Sequence, residues 1–201
     1  NANNLKYVFG LSFYAKVIEV TFDKIHETAL SLVKEESTFK VNCKRITKTY
    51  RPSQEVNMDV GGYILDRKPK LKVKLDNPEI IIHIEIIKDR AYIYANSEKG
   101  LQGLPQGTSN NIFLEISNEK LTTVAGFLLM KRGLNIVLSK KIKHLEKFNL
   151  NNNIIISKNK KIFIASDKIT VPKTKKETVF YPLLGFDKKE IDNLYKKIKE
   201  I

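Results

Sequence analysis

Apolar and polar positions change rhythm several times along the chain. Between residues 38 and 46, Phe39, Val41 and Cys43 alternate with Lys40, Asn42 and Lys44. A period of two predicts a half-buried strand with a basic outer face. Val56, Val60 and Ile64 then recur at helical spacing and predict a helix over 53–66, with Ser53 as its N-cap. Upstream, residues 7–20 mix Phe, Tyr and Val in strand-like fashion, and Ile25, Ala29, Leu32 and Val33 mark one face of a helix over 22–36. Downstream, 70–75 alternates with lysines on one face. Residues 79–87 and 90–95 are strongly β-forming and pair across the short Lys88-Asp89 turn. The Gly61-Gly62 pair costs a helix roughly 1 kcal/mol per glycine relative to alanine. It suggests close packing against a neighbour or against a ligand backbone.

A glycine-, proline- and polar-rich loop, residues 98–111, is the natural domain boundary. Beyond it, 112–116 reads as a strand, 119–132 as a helix and 135–139 as a second strand. That is a βαβ unit and the start of a parallel sheet. "NIIIS", "KIFIA" and "TVFYP" add short strands, and 187–201 is a closing helix with Asp187 as N-cap.

Charge changes the picture more than composition does. The chain has 201 residues, with 36 Lys and Arg against 22 Asp and Glu, a net of +14. Residues 38–75 carry +7 and residues 139–176 carry +9, so the remainder sums to −2. Two concentrated blocks favour a polyanion-binding surface, most often for nucleic acid. A lysine-rich, AT-biased or thermophilic proteome is the competing source of such charge. The lone Cys43 cannot form an internal disulfide, and no apolar run reaches membrane-spanning length. His83 reads as a packed strand residue, and His26 and His144 as residues of surface helices. One Cys and three scattered His make a zinc site improbable, so neither a metal nor a cofactor is expected.

The stretch "FKVNCKRITKTYRPSQEVNMDVGGYILD" (39–66), with "VKLDNPEIIIHIEIIKDRAYIYA" and "GLQGLPQGTSN", resembles the THUMP domain of the tRNA 4-thiouridine synthetase family. "FGLSFYAKVIEV" resembles the end of that family's N-terminal ferredoxin-like domain. "VAGFLLMKRG" and "FYPLLGFDKKEI" resemble landmarks of its PP-loop ATPase domain. The resemblance implies a THUMP domain that helps hold the tRNA acceptor stem. It also implies a PP-loop domain that adenylates a uridine before sulfur replaces its oxygen. The family's PP-loops carry Ser-Gly-Gly-x-Asp-Ser before the "VA" helix. Here those positions are Ser117, Asn118, Glu119, Lys120, Leu121 and Thr122. Both glycines and the aspartate are gone, and Glu119 would place an anion where phosphate should sit. Only about fifty residues separate "KRG" from "FYPLLG", few for a full PP-loop sheet at about 30 or more per βαβ unit. The ferredoxin-like domain is expected to be mostly absent.

The expected fold is therefore an α+β THUMP domain followed by a shortened α/β domain, degenerate and PP-loop ATPase-like. The expected divisions are a ferredoxin-like remnant at 1–21, the THUMP domain at 22–110 and the degenerate domain at 111–201. Lys40, Lys44, Arg45, Lys48, Arg51 and Ser53 form the expected RNA surface, with Gly103, Pro105, Gly107 and Thr108 as a loop for the acceptor end. An interdomain linker is an equal reading of that loop. Lys140, Lys141, Lys143, Lys147, Lys158, Lys160 and Lys161 either extend the basic track or form a solvated face. The expectation is a cytoplasmic, non-catalytic protein docking the tRNA acceptor stem and 3′ end in thiolation machinery, with no membrane partner. A separate catalytic subunit and a second copy of the chain are candidate partners. The rivals are an active tRNA 4-thiouridine sulfurtransferase and an assembly partner of a separate PP-loop enzyme.

Overall fold

The structure, a computed structural model, describes residues 2–34, 38–158, 163–168 and 179–201. The chain divides into two compact units, 14–98 and 1–13 with 99–201. Two short strands, β1 (Phe13–Tyr14) and β7 (Glu98–Lys99), pair with each other where the chain leaves one unit and returns to it.

Inside the 14–98 unit the order is β2 (Ile18–Val20), α1 (Ile25–Ser31), β3 (Thr38–Arg45), α2 (Ser53–Arg67), β4 (Lys72–Val73), β5 (Ile80–Ile87) and β6 (Arg90–Ala95). They form one sheet in the order β2-β6-β5-β3-β4. Strand β3 runs parallel to β5 and β4, while β6 is antiparallel to both β5 and β2. Period-two burial puts Phe39, Cys43, Ile80, Ile82, Ile84, Ile86, Ala91 and Ile93 into one core. Ile25 and Ala29 of α1 and Val56, Val60 and Ile64 of α2 complete it. The β5–β6 hairpin across Lys88 forms as the pattern predicts, with Lys88 at φ 55.

Several local expectations need correction. The 7–20 stretch is not one strand. A 3-10 helix spans Ala2–Tyr7, and Gly10, at φ 91, turns the chain while its N–H donates to the Gln102 carbonyl. The 22–36 helix opens as a 3-10 turn at Phe22–Lys24, and among its described residues only Ile25–Ser31 is α-helical; 35 and 36 lie outside the described residues. Pro52, not Ser53, caps α2: its extended backbone cannot join the helix, and its carbonyl accepts from Val56 N–H. A Cβ added at Gly61 or Gly62 would meet nothing within 4 Å, so the pair is not a close-packing device of this fold. Of 70–75 only Lys72–Val73 pairs, as an edge beside the first residues of β3. His144 lies in a turn rather than a helix, edge-on to Tyr195.

The other unit holds β8 (Asn111–Glu115), α3 (Glu119–Lys131), β9 (Asn135–Leu138), β10 (Ile154–Ile156), β11 (Phe163–Ser166), β12 (Val179–Phe180) and α4 (Lys188–Glu200). All five strands are parallel, in the order β10-β9-β8-β11-β12. The expected βαβ unit is β8-α3-β9. Asp187 caps α4 through a reciprocal pair with Glu190. Close packing belongs to Gly126 instead: a Cβ there would lie 2.7 Å from Leu145 and 3.3 Å from Ile136. Phe9, Phe127 and Phe148 interlock in the same core at centroid distances of 5.2–5.5 Å.

Candidate nucleic-acid interface

The basic positions of the 14–98 unit are organised by the end of β3. Lys44 is exposed on the outer face, opposite Glu85. Arg45 is half-buried and donates to the Tyr50 carbonyl at 3.0 Å, closing the loop that follows. Backbone N–H groups of Ile46 and Thr47 both donate to the Ile86 carbonyl. Lys88 N–H donates to Thr47 Oγ1 at 2.6 Å, and Thr49 Oγ1 donates back to the Lys88 carbonyl. The loop is thus stitched to the β5–β6 turn, and Lys44, Lys48 and Lys88 sit around one rigid edge. Among the described residues, Lys44 and Lys48 have no ion-pair or side-chain hydrogen-bond partner.

Arg51 is partly committed. Its guanidinium donates to Asp59 at 2.5 Å and lies 5.3 Å from the Tyr50 ring centroid. His26 Nε2 approaches the same Asp59 oxygen at 3.0 Å. The Arg51 hydrogen bond is the largest influence on the Asp59 carboxyl and holds it below its ordinary value; desolvation opposes it, and His26 adds a smaller lowering. Ser53 lies in the first turn of α2 beside Cys43, whose thiol is pushed up by burial. Asn57 Oδ1 accepts from Cys43 N–H at 2.7 Å and ties α2 to β3. Lys40 lies four residues back along β3, about 13 Å at the usual strand rise, and donates to the Leu75 carbonyl. So Arg45 and Arg51 meet at Tyr50, Ser53 lies with α2 on the Cys43 face of the sheet, and Lys44, like Lys40, stands on the opposite face of β3. Lys88 was missed: its turn was visible in sequence, but not its bonds to residues 47 and 49.

Gly103, Pro105, Gly107 and Thr108 fall in the other unit. Leu104 N–H donates to the Lys131 carbonyl, and Gly107 and Ser109 N–H groups both donate to the Gly133 carbonyl. A Cβ on Gly103, at φ 82, would lie 2.2 Å from that Lys131 oxygen. This loop is clamped to the α3–β9 turn by its own backbone. Of the second basic block, Lys140, Lys141 and Lys143 are exposed, and Lys141 pairs with Glu146 at 3.5 Å. Lys147 donates to the Ile198 carbonyl at the end of α4, and burial pulls its pKa down. Lys160 and Lys161 lie outside the described residues.

The β8–α3 turn has a different chemistry from the one its sequence suggests. Asn118 caps α3, its Oδ1 accepting from Lys120 and Leu121 N–H. The Asp167 carboxylate, just past β11 and fully buried, lies against the same turn. It accepts from Ser117 N–H at 2.9 Å, Ser117 Oγ at 2.5 Å, Asn118 N–H at 3.3 Å and Thr122 Oγ1 at 2.6 Å. Glu119, expected to be the blocking anion, is exposed, and Lys120 pairs outward with Asp192. Leu121 packs against the core. A cleft of about 470 Å³ opens beside this turn, lined by Phe113, Ser117, Ser139, Lys158, Asp167 and Lys168. It lies at the carboxyl ends of β8, β9 and β11, where the strand order reverses and open parallel sheets bind ligands. Among the described residues no three His, Cys, Asp or Glu side chains gather as a metal site, and no helix is long and apolar enough to cross a membrane.

Comparison with known proteins adds a family to this geometry. The THUMP domain profile matches residues 19–96. A probable tRNA sulfurtransferase of Mycoplasmopsis agalactiae is 39% identical over 140 residues, covering 68% of this chain and 37% of the relative. The chain thus spans little more than a third of that curated relative's length. A Pyrococcus horikoshii crystal structure superimposes with a TM-score of 0.77 at 27% identity, covering 98% of this chain and 80% of that one. A 4-thiouridine synthetase crystallised with RNA and ATP shares the fold, with a TM-score of 0.77 at 21% identity, over 98% of this chain and 71% of that one.

Proposed function

Since this chain is a THUMP-domain protein related to the tRNA sulfurtransferases, we propose that it docks tRNA through the basic edge of its 14–98 unit, as a component of tRNA thiolation machinery, and that it performs no ATP chemistry of its own. The observation that carries the docking reading is the stitched edge at the end of β3. Lys44 stands near the end of β3, Lys48 in the loop after it and Lys88 in the β5–β6 turn, and four hydrogen bonds between residues 46–49 and residues 86 and 88 tie that loop to the turn. Double-stranded RNA is held mainly through phosphates and 2′-hydroxyls, because its deep groove excludes side chains. Spaced cations on a rigid support suit that task. The acceptor stem is the part of tRNA we assign to this surface. Lys140 and Lys143 are exposed members of the second block without an ion-pair partner among the described residues, and they offer further phosphate contacts.

The absence of ATP chemistry has a separate support. A nucleotide phosphate at a βα turn needs free backbone N–H groups and a close approach. Here Ser117 and Asn118 N–H groups serve Asp167, and Lys120 and Leu121 N–H groups serve Asn118. The residues present do not fit a bound triphosphate, and no step is assigned to one. Sulfur transfer would then be the work of a separate catalytic subunit. Anisotropy titration of fluorescent tRNA with the wild-type chain and the Lys44→Ala/Lys48→Ala variant tests the docking reading. Unchanged affinity in the variant would refute it. Calorimetric titration with ATP and magnesium tests the second part, and saturable micromolar binding would overturn it.

A further inference from the structure

We infer that the open edge of β10 is a docking site for a partner protein, which adds an extended, acid-flanked apolar segment there as a further strand of the sheet. The inference rests on the reading that a separate subunit supplies the sulfur chemistry, and it gives such a subunit a place to bind.

Strand β10 is an end strand, paired with β9 on one side only. Ile136 N–H donates to the Asn153 carbonyl and Ser157 N–H to the Leu138 carbonyl, so residues 153, 155 and 157 direct their backbone groups towards β9. Residues 154 and 156 therefore direct theirs outward. Asn149 Oδ1 accepts from the Ile154 N–H at 2.9 Å. The Ile154 carbonyl and both backbone groups of Ile156 have no hydrogen-bond partner among the described residues.

Proteins blunt such edges with charge or brevity. Strand β2 carries Glu19, β4 has Lys72 between Lys70 and Lys74, and β12 is two residues long. Strand β10 is three isoleucines, and no charged residue falls between Lys147 and Lys158. Ile155 is 38% and Ile156 48% exposed, and Leu150 is exposed just before them. Ile154 and Ile156 share a face of the strand, and a hollow of about 220 Å³ is lined by them together with Lys141, Ile142, Glu146 and Asn149. Backbone groups give an added strand its affinity, and a hollow that takes an alternate side chain gives it selectivity. RNA offers neither a strand backbone nor an aliphatic side chain, so this edge fits a polypeptide.

Charge decides which polypeptide. Lys140 and Lys158 are exposed just beyond the paired ends of β9 and β10, where Leu138 lies opposite Ile156. Neither has an ion-pair partner among the described residues. A second copy, at a net charge of +14, would be repelled. A strand ending in acids is attracted to the same cations.

The test follows the backbone amide resonances of the full chain as one of two short peptides is added. Both alternate valine and threonine; one has glutamate at each end and the other lysine. The glutamate peptide should shift the Ile155 and Ile156 resonances saturably and slow hydrogen exchange of the Ile156 N–H several-fold. The lysine peptide should bind several-fold more weakly. Ile156→Lys gives β10 the kind of charge that β4 carries and should abolish both effects. If that variant does not fold, Lys140→Glu/Lys158→Glu takes its place and should reverse the order of the two peptides. Amides that stay still, equal binding of both peptides, or an unreversed order in the charge-swapped variant overturns the inference. Ile155 and Ile156 resonances that move with protein concentration alone assign the edge to a second copy and overturn it too. Saturable ATP binding in calorimetry overturns the underlying reading instead and leaves the peptide titration unaffected, so the two failures are distinguishable.

Discussion

Ser117 Oγ donates to Asp167 Oδ1 at 2.5 Å across fifty residues of sequence. The Ser117 N–H donates to the other oxygen of the same carboxylate at 2.9 Å. One residue therefore grips both oxygens and joins the end of β8 to the end of β11. The bond stabilises a parallel pairing that has only four registered positions. Ser117→Ala should destabilise the protein by about 1–3 kcal/mol, the usual loss for a hydrogen bond to a charged group. Thr122→Val, nearly isosteric, should cost a similar amount. Because both act on Asp167, the double variant should lose less than the sum of the two. Urea unfolding of the four proteins measures this, and strict additivity would mean that the carboxylate is not the shared partner.

The cations at the end of β3 make a second prediction. Lys44→Ala/Lys48→Ala should weaken binding to all tRNAs alike, since phosphate contacts carry no sequence information. It should also flatten the dependence of log affinity on log salt, by about 0.7–0.9 for each phosphate that the variant leaves unneutralised. Arg45 is the wrong residue for this test, because its guanidinium holds the Tyr50 carbonyl and its removal would loosen the loop. Lys40→Ala is the control: its ammonium serves the Leu75 carbonyl at the other end of the strand. Equal effects from Lys40 and from the Lys44/Lys48 pair would show diffuse charge rather than a defined edge.

Asp59 offers a third. Among the described residues it is the acid bonded to Arg51, and Arg51 first and His26 second lower its pKa. A carboxyl with a depressed native pKa stabilises the fold above its unfolded value, near 3.9. That stability fades as pH falls through the lower native value. Asp59→Asn should therefore flatten the stability profile below about pH 4, where the wild-type curve falls. The side chain is 41% exposed, so solvent screening keeps the effect small. The same variant frees Arg51 and removes a negative charge beside the basic edge. Affinity for tRNA should rise modestly at neutral pH, as read by anisotropy, and a fall would mean that Asp59 holds Arg51 in its docking pose.

What was legible in the sequence is what repeats locally. The alternation of Phe39, Val41 and Cys43, the 56-60-64 spacing and the β8-α3-β9 unit all carry their period in adjacent residues. The basic edge was legible for the same reason, since most of its members lie within ten residues of one another. Asp167 was not. Its partners are set by which strand lies beside β8, and strand order leaves no period in the sequence. A serine and a threonine flanking an N-cap asparagine hint at hydroxyl donors, but nothing near them names the acceptor. Phe9 was obscured similarly. It read as part of a strand, whereas its ring belongs to the core that β8 and α3 build.

The glycines give the last prediction, because sequence and structure rank them oppositely. Gly61-Gly62 stands out in the sequence as a costly pair inside a helix, and Gly103 as a glycine of the loop expected at the acceptor end or of an interdomain linker. Yet α2 has ordinary helical backbone at both positions, and an added Cβ meets nothing within 4 Å. Alanine there should gain helix propensity and restrict the unfolded chain, for roughly 0.5–1 kcal/mol of stabilisation at each site. Gly103→Ala should do the reverse. Its φ of 82 disfavours any side chain, and the new Cβ would collide with the Lys131 carbonyl that Leu104 N–H uses. Thermal unfolding of Gly61→Ala, Gly62→Ala and Gly103→Ala decides the order. If the two helix variants are stabilised yet bind tRNA more weakly, the glycines serve close approach of a bound backbone to α2, and the docking surface extends along that helix. If they are destabilised, α2 packs more tightly than its open Cβ positions indicate.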